Sequence, residues 1–196
     1  MLTFAAAVFF LIITPGPGVL SAAGVGAAYG IRSGLRYVLG LFLGNNLVII
    51  AVISGLAALI LASPVIRTVL FVLSTAYLLY LAARIAFAGS RLAFIEAQSE
   101  PGVMAGLLLQ PINPKAYAVN TALFSGFAIF PDALLTEILV KVLLVNLIWI
   151  PIHVLWVWFG ATLKRLDLNP KTQRSINIAM ALSMLVVVAL AAWSSF

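Results

Sequence analysis

The sequence predicts an all-α integral membrane protein: six transmembrane helices in two inverted three-helix halves, the first helix of each half broken at a proline-containing motif. Three observations predict this. Hydrophobic residues make up 64% of the 196 and charged residues only 8%, with a mean hydropathy of +1.21, far from the roughly half-apolar, quarter-charged composition of a soluble domain. Six apolar runs recur between breakers, each suited to the about 20 residues of a spanning helix rather than the about 10 of a membrane strand. The run that opens each half is interrupted by prolines about a dozen residues in.

Taken in order, the first segment covers about residues 2 to 29 and carries "TPGPG" at its centre. The second covers about 36 to 62 and the third about 64 to 88, and the polar stretch "GSRLAFIEAQSEPG" then divides the halves. The fourth runs from about 102 to 130 and is broken at "QPINPK". The fifth runs from about 133 to 162, with Pro151 inside it, and the sixth from about 174 to 195. The length suits one compact bundle, a single transmembrane transporter domain over 1–196 with inverted repeats at approximately 1–90 and 101–196. A cleaved signal peptide is the alternative for the first segment. It fits poorly, because no Lys or Arg precedes the apolar stretch and Pro15 and Pro17 spoil the usual layout.

Charge placement orients the chain. Of 11 Lys and Arg, Arg32 and Arg36 follow segment one, Arg84 and Arg91 follow segment three, and Lys164, Arg165, Lys171 and Arg174 lie between five and six. These positions share one side, so the positive-inside rule makes it cytoplasmic and puts both termini outside the cytoplasm. The net charge of +6 is then a matter of lipid headgroups and not of nucleic acid.

Several chemistries are excluded. With no cysteine there is no disulfide, thiolate metal site or cysteine nucleophile, and no cofactor motif or metal-ligand cluster is present. No HExxH, GxSxG or intramembrane carboxylate pair appears, and the five acids Glu96, Glu100, Asp132, Glu137 and Asp167 lie in or near loops, so the chain does not read as an enzyme.

The two breaks carry the functional reading. Proline removes a backbone donor and clashes with the preceding turn, and glycine supplies unusual dihedrals, Gly16 being needed for its backbone freedom, so both places should unwind or kink and bare backbone groups near mid-membrane. Such groups are tolerated only against protein or a hydrated cavity. Matched broken helices in inverted halves point to a central substrate site, the plainer alternative being two proline kinks that only help packing.

"TPGPG", "GLFLGNN", "AYLLYLAAR" and "NPKA", in that order over nearly the whole chain, resemble the LysE/RhtB family of amino-acid exporters (LysE-type translocators). The resemblance implies efflux of amino acids or similar metabolites, driven by the proton gradient, across a bacterial inner (plasma) membrane. Two positions depart from the common pattern: Gly18 stands where members often have Asn or Asp, and Asn45 where they often have Asp.

The site candidates follow: Thr14, Pro15, Gly16, Pro17 and Gly18 at the first break, Asn45 in segment two, and Asn113, Pro114 and Lys115 at the second break. Lys115 is the most informative charge. At 1.5 Å per residue it falls near the bilayer centre if segment four begins near Gly102, and it would then need a substrate carboxylate or break carbonyls as partners. Otherwise it snorkels to the cytoplasmic headgroups. Asn46, Asn120, Thr121 and Asn146 could bind substrate but more commonly join helices. His153, the one histidine, is a candidate proton carrier or a buried neutral side chain, and Trp149, Trp156 and Trp158 face lipid or neighbouring helices. Without a buried acid a dicationic substrate lacks a second counter-charge, so a neutral or weakly polar amino acid is expected. A passive channel-like pore and a non-transport assembly factor are the competing functions. The small residues Gly24, Gly26, Ala27, Ala28 and Gly30 would permit close helix contact, including with a second copy in a homodimer.

Overall fold

The computed structural model describes residues 1–55, 65, 69, 72, 76, 79, 83, 100–166 and 168–193. Apart from those isolated positions, the expected third segment and the polar stretch after it lie outside the described residues. Six helices are described: α1 (Leu2–Ile13), α2 (Pro17–Ile53), α3 (Val103–Leu109), α4 (Pro114–Ser125), α5 (Leu134–Arg165) and α6 (Pro170–Trp193). By length and composition, Pro17–Ile53 and the stretch Leu134–Leu163 each suffice to cross a membrane, and α1 is apolar but shorter.

Segment one is α1 plus the first arm of α2, separated by a non-helical stretch at the first proline motif. Ile13 is the last helical residue, Thr14 has φ −56° and ψ 127°, and Gly16 is fully extended. Pro17 restarts the helix at its first position, where a missing N–H costs nothing. The expected loop around Arg32 and Arg36 is shorter than the sequence suggested. A single glycine, Gly30 at φ 83° and ψ 178°, breaks the helical path, and helix resumes at Ile31. A straight helix of this length would run to about 55 Å, well beyond a hydrocarbon core of roughly 30 Å, so the break lets α2 supply half of one span and all of the next. Its second arm stops at Ile53, short of the expected end near 62, and Gly55 two residues on takes the left-handed φ of 76°.

Segment four divides the same way, into α3 and α4 with the non-helical Asn113 between them. Pro114 opens α4, and the Asn113 side chain caps it by accepting from the Lys115 amide at 3.1 Å. In α5 the helix continues through Pro151. Helix α6 begins earlier than the sequence suggested, because Asn169 accepts from the Thr172 amide at 2.9 Å and Pro170 takes the first helical position.

Close backbone approach at paired glycines fixes the packing. A Cβ on Gly26 would lie 2.3 Å from the Val157 carbonyl oxygen, and one on Gly160 would lie 2.0 Å from that of Ala23, so α2 and α5 meet backbone to backbone. Gly40 and Gly106 do the same for α2 and α3, at 1.9 Å from the Val103 oxygen and 2.3 Å from the Tyr37 oxygen. Small residues serve this purpose in membranes, where dispersion and not water exclusion drives helix association. Gly24, Gly26 and Ala27 are buried inside the chain, so that part of the stripe is taken up within one protomer.

Gly160→Leu should therefore cost roughly 1–3 kcal/mol or more, because a backbone carbonyl cannot yield as a side-chain tip can. Thermal unfolding in detergent should show a clear fall in Tm. Gly102→Ala, with nothing within 4 Å of its Cβ position, should leave Tm unchanged.

Candidate functional site

The two breaks meet at one cavity of about 440 Å³, counted to its open mouth. Gly16 and Gly18 from the first break, Gln110, Asn113 and Lys115 from the second, Asn45 and Asn120 from the spans between, and Trp149 and His153 from α5 form its polar and aromatic wall. Leu11, Ile12, Val19, Val119 and Val145 supply an aliphatic wall. Among the described residues no acidic side chain lines it.

Lys115 bridges the breaks. It sits in the first turn of α4, and its ammonium donates to the carbonyl oxygen of Thr14. A Cβ on Gly16 would come 2.8 Å from Lys115 Cδ and 3.2 Å from Nζ, so the lysine lies directly across the extended glycine. Gly16 is thus needed for room. Its extended backbone is one that any residue can adopt, so the dihedral freedom expected from the sequence is not what the position uses.

Around this cation the polar groups fall into two sets. Helix α2 has no side-chain cap, and Pro17 has no N–H, so the first-turn amides of Gly18 and Val19 form an uncapped, partially positive helix end at residues that line the cavity. Across from Gly18 stands His153, with Nε2 3.4 Å from the Gly18 Cβ position and Gln110 Nε2 at 3.5 Å from the same point. His153 Nδ1 is 2.9 Å from the Trp149 carbonyl oxygen. A carbonyl can only accept, so Nδ1 carries the proton and Nε2 of the neutral ring is an acceptor. Stacking on Trp149, with ring centroids 3.5 Å apart, holds that orientation. Asn120 donates to Asn45 Oδ1 at 3.1 Å and to the Ala116 carbonyl at 2.9 Å, while Asn113 donates to Gln110 Oε1 at 3.1 Å. A cation and a bare helix end, with imidazole and amide acceptors lining the same cavity, suit a zwitterion. The aliphatic wall suits an apolar side chain.

A model of the LysE type translocator matches residues 9–195. The chain belongs to the LysE type translocator family. It is therefore a membrane protein of a translocator family and not an enzyme. Among its relatives, the leucine efflux protein of Klebsiella pneumoniae is 30% identical over 131 residues, 64% of this chain and 62% of that one. Those of an Enterobacter species and of Salmonella typhimurium are 28% and 29% identical, over 130 and 131 residues; both alignments take in 64% of this chain, and 62% and 61% of those proteins. The aligned part spans less than two thirds of these relatives' own length. No solved structure matches the translocator.

Of the residues singled out from the sequence, Gly16, Gly18, Asn45, Asn113, Lys115 and His153 line the cavity. Pro15, Pro17 and Pro114 do not, and act as backbone breakers beside it. Thr14 takes part through its carbonyl alone, since its hydroxyl turns back to the Phe10 carbonyl at 2.6 Å. Asn46 and Asn146 join α2 to α5 by reciprocal amide bonds of 3.2 and 3.0 Å, the helix-joining role expected of such residues. Gln110 was visible as the first letter of "QPINPK" but carried no signal of its own. Trp149 reads in sequence as one of a cluster of tryptophans; only its fourth-residue spacing to His153 hinted that the two rings share a face.

Lys115→Ala should abolish transport while leaving folded, inserted protein, and Lys115→Arg should recover only a small part, because a guanidinium keeps the charge but differs from an ammonium in shape and hydration. Flux per folded molecule in proteoliposomes measures this. Wild-type flux in Lys115→Ala at equal insertion would remove the residue from the site.

Proposed function

We propose that this translocator exports neutral aliphatic amino acids, leucine foremost, across the bacterial inner membrane by proton-coupled alternating access. In this reading the substrate carboxylate takes Lys115 from Thr14 and rests against the uncapped end of α2. The substrate ammonium meets His153 Nε2 and the Asn45–Asn120 amides, and the side chain lies on the wall formed by Leu11, Val119 and Val145. The observation that carries it is the Lys115 ammonium held on a backbone carbonyl between two broken helices, in a cavity whose described lining residues include no acid. A carbonyl is a neutral partner for that charge, and a carboxylate is a better one. Leucine efflux is what the relatives' names describe, which agrees with the aliphatic wall.

His153 is the proton carrier of this scheme, being the titratable acceptor that would face the substrate ammonium. Alternating access would move the two inverted halves around the fixed cavity. In this reading Arg32 and Arg36, just past the Gly30 break in α2, lie at the cytoplasmic face and both termini lie outside, by the positive-inside rule. A close pairing of two copies is left to the surface away from the buried stripe of α2.

Inside-out vesicles carrying the protein and acidified within provide the test. Labelled leucine should accumulate above equilibrium, about tenfold for each 1.4 kcal/mol of driving force, collapse with a protonophore, and exceed lysine by a wide margin. Downhill equilibration alone would mean a pore, and no flux at all would leave an assembly role.

A further inference from the structure

A second lysine, unmarked by any motif, lies outside the cavity. Lys141 on α5 is 1% exposed, and its ammonium is fully engaged. Glu137 Oε1 lies at 2.6 Å, the Phe124 carbonyl accepts at 3.1 Å and the Phe127 carbonyl accepts as well. The rings of Phe4 and Phe124 stand with their centroids 5.9 Å away. The other carboxylate oxygen of Glu137 accepts from the amides of Ile129 and Phe130 at 3.1 and 2.8 Å. Phe4 and Phe127 meet edge to face at 5.6 Å.

One ammonium thus gathers the beginning of α1, the end of α4, the turn after it and the first turns of α5. These are the outer ends of both broken helices. Val145, one helical turn deeper on α5, already lines the cavity, so the cluster stands about 6 Å of helix rise from the site. A buried ion pair is weak as a stability device, because desolvation takes back most of its attraction and apolar side chains pack as well. It does have two sharply different arrangements, made and broken. The second arm of α2 offers a contrast: Glu100 accepts from Ser33 at 2.7 Å and faces Arg36 at 3.9 Å, with the Arg36 and Glu100 side chains 58% and 49% exposed, a contact that opens at little cost.

We propose that Lys141, paired with Glu137, is a positioning residue that latches the start of α1 and the end of α4 to α5, sealing the N-terminal side of the cavity until the pair is broken to release substrate. This rests on the alternating access and outward N-terminus proposed above. The latch acts on the path out, and substrate contact is left to Lys115 and its neighbours.

The cysteine-free chain permits a direct test. A Val145→Cys reporter in proteoliposomes is exposed to a membrane-impermeant thiol reagent from either side, with and without leucine. Adding Lys141→Met or Glu137→Gln should raise labelling from the N-terminal side about tenfold and lower it from the other side, while leucine flux falls. Glu137→Gln keeps a carbonyl oxygen for the Ile129 and Phe130 amides, so it carries the test if Lys141→Met does not fold. Labelling that is unchanged, or that rises equally from both sides as loosened packing would give, overturns the latch. If the reporter without these changes reacts alike from both sides whether or not leucine is present, alternating access itself is wrong, and the latch falls with it.

Discussion

An ammonium enclosed in a membrane bundle must find oxygen, and the oxygen that Lys115 finds is the Thr14 carbonyl, bared because the first span is broken there. Each break supplies what the other lacks. A continuous helix through Thr14 would engage that carbonyl internally, and a continuous helix through Asn113 would not begin a new first turn with Lys115 in it. Pro17 and Pro114 start helices in which the first amide is missing without cost. Asn113 caps one of these helix ends while the other stays bare. The asymmetry leaves the α2 end available to an anion beside the lysine.

The glycine contacts serve the same arrangement. Gly26 and Gly160 bring α2 and α5 to backbone contact, and Gly40, Gly44 and Gly106 do so for α2 and α3. This draws Asn45 on α2 and His153 on α5 to the edge of one small cavity. His153 is held from behind by its own helix, through the Trp149 carbonyl and ring, so its open nitrogen is presented without help from the substrate. Lys141 and Glu137 have the opposite design, with every donor and acceptor spent on tying elements together. One cation rests on a neutral backbone carbonyl at the cavity, and the other is paired with its own carboxylate.

Much of this was legible in the sequence because proline has few uses in a membrane helix. The matched "TPGPG" and "QPINPK" announced both breaks, and a lysine directly after Asn-Pro in an apolar run demanded an explanation. Other features were hidden for physical reasons. The turn at Gly30 needs only one residue, so the flanking arginines read as a longer loop than exists. Gly16 looked like a conformational requirement, and only the position of the Lys115 chain shows it to be a spatial one. Gln110 and Trp149 reach the cavity through helix phase and tertiary placement, which a short motif does not encode. Lys141 lies within "LVKVLL", with its carboxylate partner one turn earlier. That spacing also describes countless surface pairs, and only the burial of the ammonium among two carbonyls and two rings sets it apart.

The central claim is that Lys115 exchanges the Thr14 carbonyl for a substrate carboxylate, and a binding cycle tests it most directly. Equilibrium affinities of leucine and of leucinamide, which keeps the side chain and ammonium but lacks the carboxylate, are measured on purified wild type and on Lys115→Gln. The account predicts that wild type prefers leucine by about tenfold or more and that the preference collapses in the variant, with leucinamide binding little changed. An undiminished preference for leucine in Lys115→Gln would contradict it, and would place the carboxylate elsewhere in the cavity.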